Sequence, residues 1–146
     1  IPTDIPVALD LAYVGSTKIK KLDLPSNVEY VFYSLSKSFG VRNVRTGWMF
    51  TRKKDLKLDA LTYNAKYYNY YALQVSEAII KYFNIDYVHS VYQDQQAHVC
   101  QKLNIVASDS VWIATSTDPI YEQFRRNLHN ARLCLAGVYN EKTTIT

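Results

Sequence analysis

The chain is 146 residues long, 48% hydrophobic and 21% charged, with a formal net charge of +4. That length accommodates one ordinary domain or parts of two, and the composition excludes a disordered chain. The basic residues fall in short separate groups, Lys18, Lys20 and Lys21, then Arg52, Lys53 and Lys54, then Arg125 and Arg126; a nucleic-acid-binding stripe is denser, so no nucleic-acid partner is expected.

Residues 7–11 read as a buried strand, an apolar run broken only by Asp10 and ended by Gly15 and Ser16. No methionine precedes Ile1, and the chain reaches this core strand within a few residues. The expectation is the later part of a longer protein. Residues 18–27 form a polar connector with Pro25, and residues 28–34 a second strand rich in β-branched and aromatic side chains. A loop over 40–45 leads to a third strand over 46–51. Three short strands joined by polar links predict a mixed or parallel sheet covered by helices.

Beyond Lys57 the pattern turns helical. Helices are predicted over about 73–83 and 86–103, the second with Val88, Tyr92, Val99 and Leu103 at helical spacing. A strand follows over 111–115. Asp118 and Pro119 then suit the cap and first turn of another helix. Residues 131–136 read as a last strand, ended by Gly137. The tyrosine-heavy stretch YNAKYYNYY, residues 63–71, reads as a packed surface or interface. A domain boundary is expected near Asn84, giving units 1–84 and 85–146. Cys100 and Cys134 lack metal spacing and are read as small buried apolar groups in a reducing compartment. His89, His98 and His129 form no catalytic or metal pattern. No apolar run reaches the roughly 18 residues of a membrane-spanning helix, and no signal peptide is recognisable. A cytoplasmic location without membrane contact is expected.

The stretch YSLSKSFGVRNVRTGW, residues 33–48, concentrates the chemistry. Lys37 follows a strand and precedes a glycine. Burial there disfavours the ammonium, and a neutral amine attacks carbonyls to form a Schiff base. Ser34 and Ser36 offer hydroxyls to an anion, and Arg45 offers a fork of donors suited to phosphate. A lysine beside a phosphate site suits pyridoxal 5'-phosphate. That cofactor also needs a carboxylate at its ring nitrogen, for which a buried Asp10 is the natural candidate.

Together DLAY (10–13), SLSK (34–37) and RTGW (45–48) resemble fold-type I pyridoxal-phosphate enzymes, specifically class I/II aminotransferases. The resemblance implies an α/β fold: part of the aspartate-aminotransferase-like large domain, then a trimmed α+β small domain. It assigns Asp10 to the pyridine nitrogen and Tyr13 to the phenolic oxygen of the ring. Ser34 and Arg45, with Ser36 in a lesser role, fall to the phosphate, and Lys37 to the Schiff base and proton transfer. NARLCLAG, residues 130–137, is similar to the family's strand carrying the arginine for the substrate carboxylate, here Arg132. Arg125 and Arg126 are read as a solvated helix face. The implied activity is amino transfer between an amino acid and a 2-oxo acid, in a homodimer or with a complementing N-terminal half. The region around Asn69 and Tyr70 lies where family members approach the neighbouring subunit's site. The resemblance covers the later half of the family's fold; the glycine-rich phosphate turn, the ring-stacking aromatic and an asparagine at the phenolic oxygen belong to the earlier half. A decarboxylase or lyase of the same fold, and a non-catalytic domain reusing the scaffold, stay open as alternatives.

Overall fold

A computed structural model describes residues 4–18, 21–54, 56–125 and 130–140. Lys20, Arg126 and His129, named above, lie outside them. The chain divides into two compact units. One holds the described residues up to Val14 and from 21 to Ile85; the other holds Gly15–Lys18 and the described residues from Asp86 onward.

In the first unit, β1 (Val7–Asp10), β2 (Val28–Ser34) and β3 (Gly47–Thr51) form a mixed sheet in that order. β1 runs parallel to β2, and β2 antiparallel to β3. The parallel pair puts the carboxyl ends of β1 and β2 on one side, and the antiparallel return brings the start of β3 to the same end. There Ser34 pairs with Gly47. A Cβ on Gly47 would stand 2.8 Å from the Tyr33 carbonyl oxygen, so only glycine fits at this crossing without a backbone shift.

Side chains alternate across the sheet. Leu9, Val31, Tyr33, Trp48 and Phe50 share one face, and the Tyr33 and Trp48 rings stack there with centroids 5.8 Å apart. α1 (Leu35–Ser38) is a single turn continuing directly from β2, with Leu35 and Ser38 buried. Residues Leu56–Asp59 form α2 and run into a π-turn over Ala60–Asn64. α3 (Tyr70–Tyr82) starts at Asn69, whose side chain accepts from the Ala72 amide. Helical cover of the sheet is partial: Ile80 and Phe83 line a groove with the Tyr33–Trp48 face, while Phe32 and Phe50 stay exposed.

In the second unit, α4 (Tyr87–Leu103) ends at Asn104, whose left-handed conformation (φ 51°) lets its amide cap the helix. β4 (Val106–Ala107), β5 (Ile113–Ser116) and β6 (Ala131–Cys134) form an antiparallel sheet in sequence order. Val99, Cys100, Ile105, Ala114, Leu135 and Tyr139 make its core. Gln96 is buried within this unit, its amide nitrogen donating to the carbonyls of Ser108, Ser110 and Ile113 at 2.9–3.1 Å. Ser16 and Ser110 hydroxyls meet at 2.9 Å.

Several expectations are corrected. The segment opened by Asp118 is a 3-10 turn over Pro119–Phe124 rather than an α-helix, though Asp118 does accept from the Ile120 amide at 2.9 Å. Gly137 does not end β6; the strand stops at Cys134, and Gly137 lies inside α5 (Ala136–Asn140). Cys100 is buried but Cys134 is exposed, because strand alternation turns it outward with Arg132 while Ala131 turns in. No helix among the described residues is long and apolar enough to cross a membrane.

Candidate functional site

Asp10, Tyr13, Ser34, Ser36, Lys37 and Arg45 all belong to the first unit, and most gather where β1 and β2 end. The carboxyl ends of parallel strands are the usual seat of ligands in open α/β sheets. Asp10 is the last residue of β1 and pairs in register with Phe32, two residues before Ser34.

Asp10 is exposed, which corrects the expected burial: β1 is an edge strand of the three-stranded sheet, so its end is not enclosed. Its Oδ1 accepts from the Ala12 amide at 2.8 Å, a local turn that carries the chain round to Tyr13. Lys37 is also exposed rather than buried, because it lies on the open side of the single turn α1 while Leu35 and Ser38 face inward. Its Nζ lies 4.7 Å from the centroid of the Tyr13 ring, within cation–π range. The lysine and the tyrosine are therefore neighbours, although 24 residues separate them in the sequence.

The two serines act on Arg45. Ser34 caps α1 by accepting from the Ser36 amide at 3.2 Å and donates its hydroxyl proton to the Thr46 carbonyl at 3.3 Å. Ser36 donates to the Val44 carbonyl at 3.0 Å. Those carbonyls flank Arg45, and the Thr46 amide closes a three-residue turn on the Val44 carbonyl at 3.0 Å. The buried Val44 side chain anchors the turn from within. The short α1 turn thus clamps the loop on both sides of Arg45 and leaves the guanidinium exposed, with no acidic partner among the described residues. Ser38 completes the clamp, donating to the Ser34 carbonyl at 2.5 Å. Burial pushes the nearby Tyr33 phenol up, against a lowering by its hydrogen bond with Ser38.

Arg45 opens into a cleft of about 770 Å³, which it lines with Thr46, Gly47, Thr62, Lys66, Tyr67, Tyr68, Asn69 and Leu73. Sequence reasoning did not single out Lys66 or this cleft. Tyr68 and Tyr70 hydroxyls meet at 2.9 Å, a bond that pushes the Tyr68 phenol up. Thr46 Oγ1 is buried without a hydrogen-bond partner among the described residues.

Arg132 belongs to the second unit, exposed on β6 opposite Thr115. It lines a cleft of about 530 Å³ with Gln123, Phe124, Arg125, Leu133 and Cys134. Arg125 is not part of a solvated helix face: it bridges to Ala131, pairs with Glu122 at 3.5 Å and shares this cleft with Arg132. Two guanidiniums around one opening suit a carboxylate or other anion.

The donor set of the first unit matches the chemistry that pyridoxal phosphate requires. An unpaired guanidinium suits a phosphate, a primary amine suits an aldehyde, and an exposed carboxylate oxygen suits a protonated ring nitrogen. Ser34 and Ser36 fit less simply, since their protons are already donated to carbonyls. The long 3.3 Å bond of Ser34 is the one more readily exchanged for a ligand. Among the described residues no group of histidines, cysteines and carboxylates is arranged to hold a metal ion. No family model, no curated protein and no solved structure matches the chain.

Proposed function

We propose that the chain forms part of a pyridoxal-phosphate-dependent aminotransferase that moves an amino group between an amino acid and a 2-oxo acid. One observation carries the reading: the Lys37 amine next to the Tyr13 ring, at the sheet end where the serine clamp also presents Arg45. Asp10, at the end of the adjacent strand, supplies the carboxylate.

The cofactor, when bound, supplies an electron sink for the pair left behind when a substrate C–H bond breaks. Each residue then has a task. Arg45 holds the phosphate by paired hydrogen bonds, and Ser34 can add one donor by releasing the Thr46 carbonyl. Asp10 keeps the ring nitrogen protonated through its free carboxylate oxygen. The Tyr13 ring orients the Lys37 amine, and its hydroxyl suits the phenolic oxygen. Lys37 Nζ carries the proton away from the substrate Cα. Arg132 is proposed to recognise the substrate carboxylate as a fork of donors, with Arg125 as a second cation in its cleft.

The test is chemical. The chain is mixed with pyridoxal phosphate, treated with borohydride and digested, and the label is mapped by mass spectrometry. The label is expected on Lys37, and to be lost in Lys37→Ala. A label spread over Lys53, Lys54 and Lys102 but absent from Lys37 overturns the reading.

A further inference from the structure

The cleft beside Arg45 contains a second cation that the reading above leaves without a task. Lys66 has φ 49°, left-handed backbone that a lysine adopts only at a cost. The conformation has a local cause. The π-turn over Ala60–Asn64 closes when the Ala65 amide reaches the Ala60 carbonyl and the Tyr67 amide reaches the Leu61 carbonyl, both at 3.0 Å. The residue between them must turn left-handed for both bonds to form, a position that glycine or asparagine usually fills. The Tyr68 amide then folds back onto the Lys66 carbonyl at 3.0 Å. Lys66 is thereby held by three surrounding backbone bonds on the wall of the cleft that Arg45 shares.

The chemistry of that wall is one-sided. Arg45 and Lys66 bring two positive charges, and Thr62, Tyr67 and Tyr68 bring hydroxyls. α3 begins at the same wall, with Asn69 at its cap, so the positive end of the helix dipole adds to the field. Among the described residues no acidic side chain lines the cleft, and neither Arg45 nor Lys66 has an ion-pair partner. Thr46 Oγ1 is shut off from solvent and is not counted among the donors a ligand meets.

We infer that this cleft binds a phosphate monoester dianion between Arg45 and Lys66, with Lys66 as a second cationic anchor. The two cations match the two charges of the dianion, and hydroxyl donors can meet its remaining oxygens. The inference deepens the proposed function, because Arg45 is the phosphate residue of that reading, but it needs neither an aldehyde nor Lys37.

Phenyl phosphate, a monoester without an aldehyde, is the probe, with phenol at equal ionic strength as control. The intact chain is acetylated with a water-soluble active ester, and the rate at each lysine is read by mass spectrometry. With phenyl phosphate at about ten times its Kd, acetylation of Lys66 is expected to slow about tenfold. Lys54 and Lys102, both exposed and outside the cleft, should be unaffected. Arg45→Gln should abolish the protection and Arg45→Lys should keep part of it. Equal acetylation of Lys66 with and without phenyl phosphate overturns the inference, and so does protection that survives Arg45→Gln. The two proposals separate cleanly. Borohydride labelling of Lys37 with no protection of Lys66 leaves the cofactor reading and removes this one. Protection of Lys66 with no label on Lys37 does the reverse.

Discussion

At the scale of single residues, Gln96 shows how one polar side chain organises a fold. Its amide nitrogen has two protons and faces three carbonyls, so one proton is shared. Ser108 and Ser110 lie in the segment joining β4 to β5, and Ile113 opens β5. The Ser108 hydroxyl shares the Ser110 and Ile113 carbonyls with Gln96, which alone among the described residues donates to the Ser108 carbonyl. Gln96→Leu, similar in volume, removes the donor, leaves the Ser108 carbonyl facing apolar surface and weakens the bonding of the Ser110 and Ile113 carbonyls, which keep the Ser108 hydroxyl. A loss of about 2–3 kcal/mol in stability is expected by urea denaturation; a loss below about 0.5 kcal/mol would mean water replaces the amide without difficulty. Nothing in the sequence marks Gln96, since a glutamine on a long amphipathic helix reads as solvent-facing. The position of Lys37 just after a strand is legible in the sequence, and so is the spacing of eight residues to Arg45, but the exposure of Lys37 is not. The tie between Ser34, Ser36 and the loop around Arg45 is not, because backbone carbonyls leave no trace in side-chain patterns.

At the scale of elements, boundaries follow local chemistry where one signal dominates. β2 spans the expected 28–34 because its run of β-branched and aromatic residues is uninterrupted. α3 starts three residues before the expected 73, because Asn69 caps it and Tyr70 and Tyr71 are carried in the first turn. The π-turn had no signal, as i→i+5 bonding has no sequence period of its own. In the second unit, α5 is held to the core through Tyr139, whose hydroxyl donates to the Val111 carbonyl. Burial raises the Tyr139 phenol far above its ordinary range, with lesser contributions from Cys100, Cys134 and Tyr92. A raised acid favours the neutral form in the fold, so its contribution is complete below about pH 10, the unfolded value, and falls as pH rises beyond it. Tyr139→Phe removes both the bond and the titration. At neutral pH the variant is expected to lose about 1 kcal/mol. Above about pH 10 its urea midpoint should fall less steeply than that of the parent chain; equal slopes would show that Tyr139 titrates as if in water.

At the scale of the whole molecule, the two units differ in how completely each encloses its apolar surface. The second packs Tyr92, Trp112 and Tyr139 ring against ring, with centroids 5.1–5.9 Å apart, over a closed core. The first carries an open apolar groove of about 690 Å³ lined by Val31, Tyr33, Trp48, Phe50, Ile80 and Phe83. Exposed apolar surface of this kind binds hydrophobic dyes without unfolding. The native chain is expected to enhance the fluorescence of an anilinonaphthalene dye. Phe50→Ser, at a residue 58% exposed, should cut that signal while shifting stability by no more than about 0.5 kcal/mol. A dye signal that Phe50→Ser leaves intact would place the open surface elsewhere. Three strands and their links pointed to a sheet either mixed or parallel, and the antiparallel pairing of β3 makes it mixed. Its incomplete cover was not, because an apolar strand face looks the same in sequence whether a helix covers it or solvent does.

The left-handed turn at Lys66 has a consequence for engineering. Glycine would hold the same turn without steric penalty, so Lys66→Gly is among the first substitutions a stability-directed redesign of this chain would select. It would also delete a cation from the cleft wall. A redesign scored on folding alone would therefore pass this position as an improvement, and the thermostable product would carry a charge deficit that only a binding assay reveals.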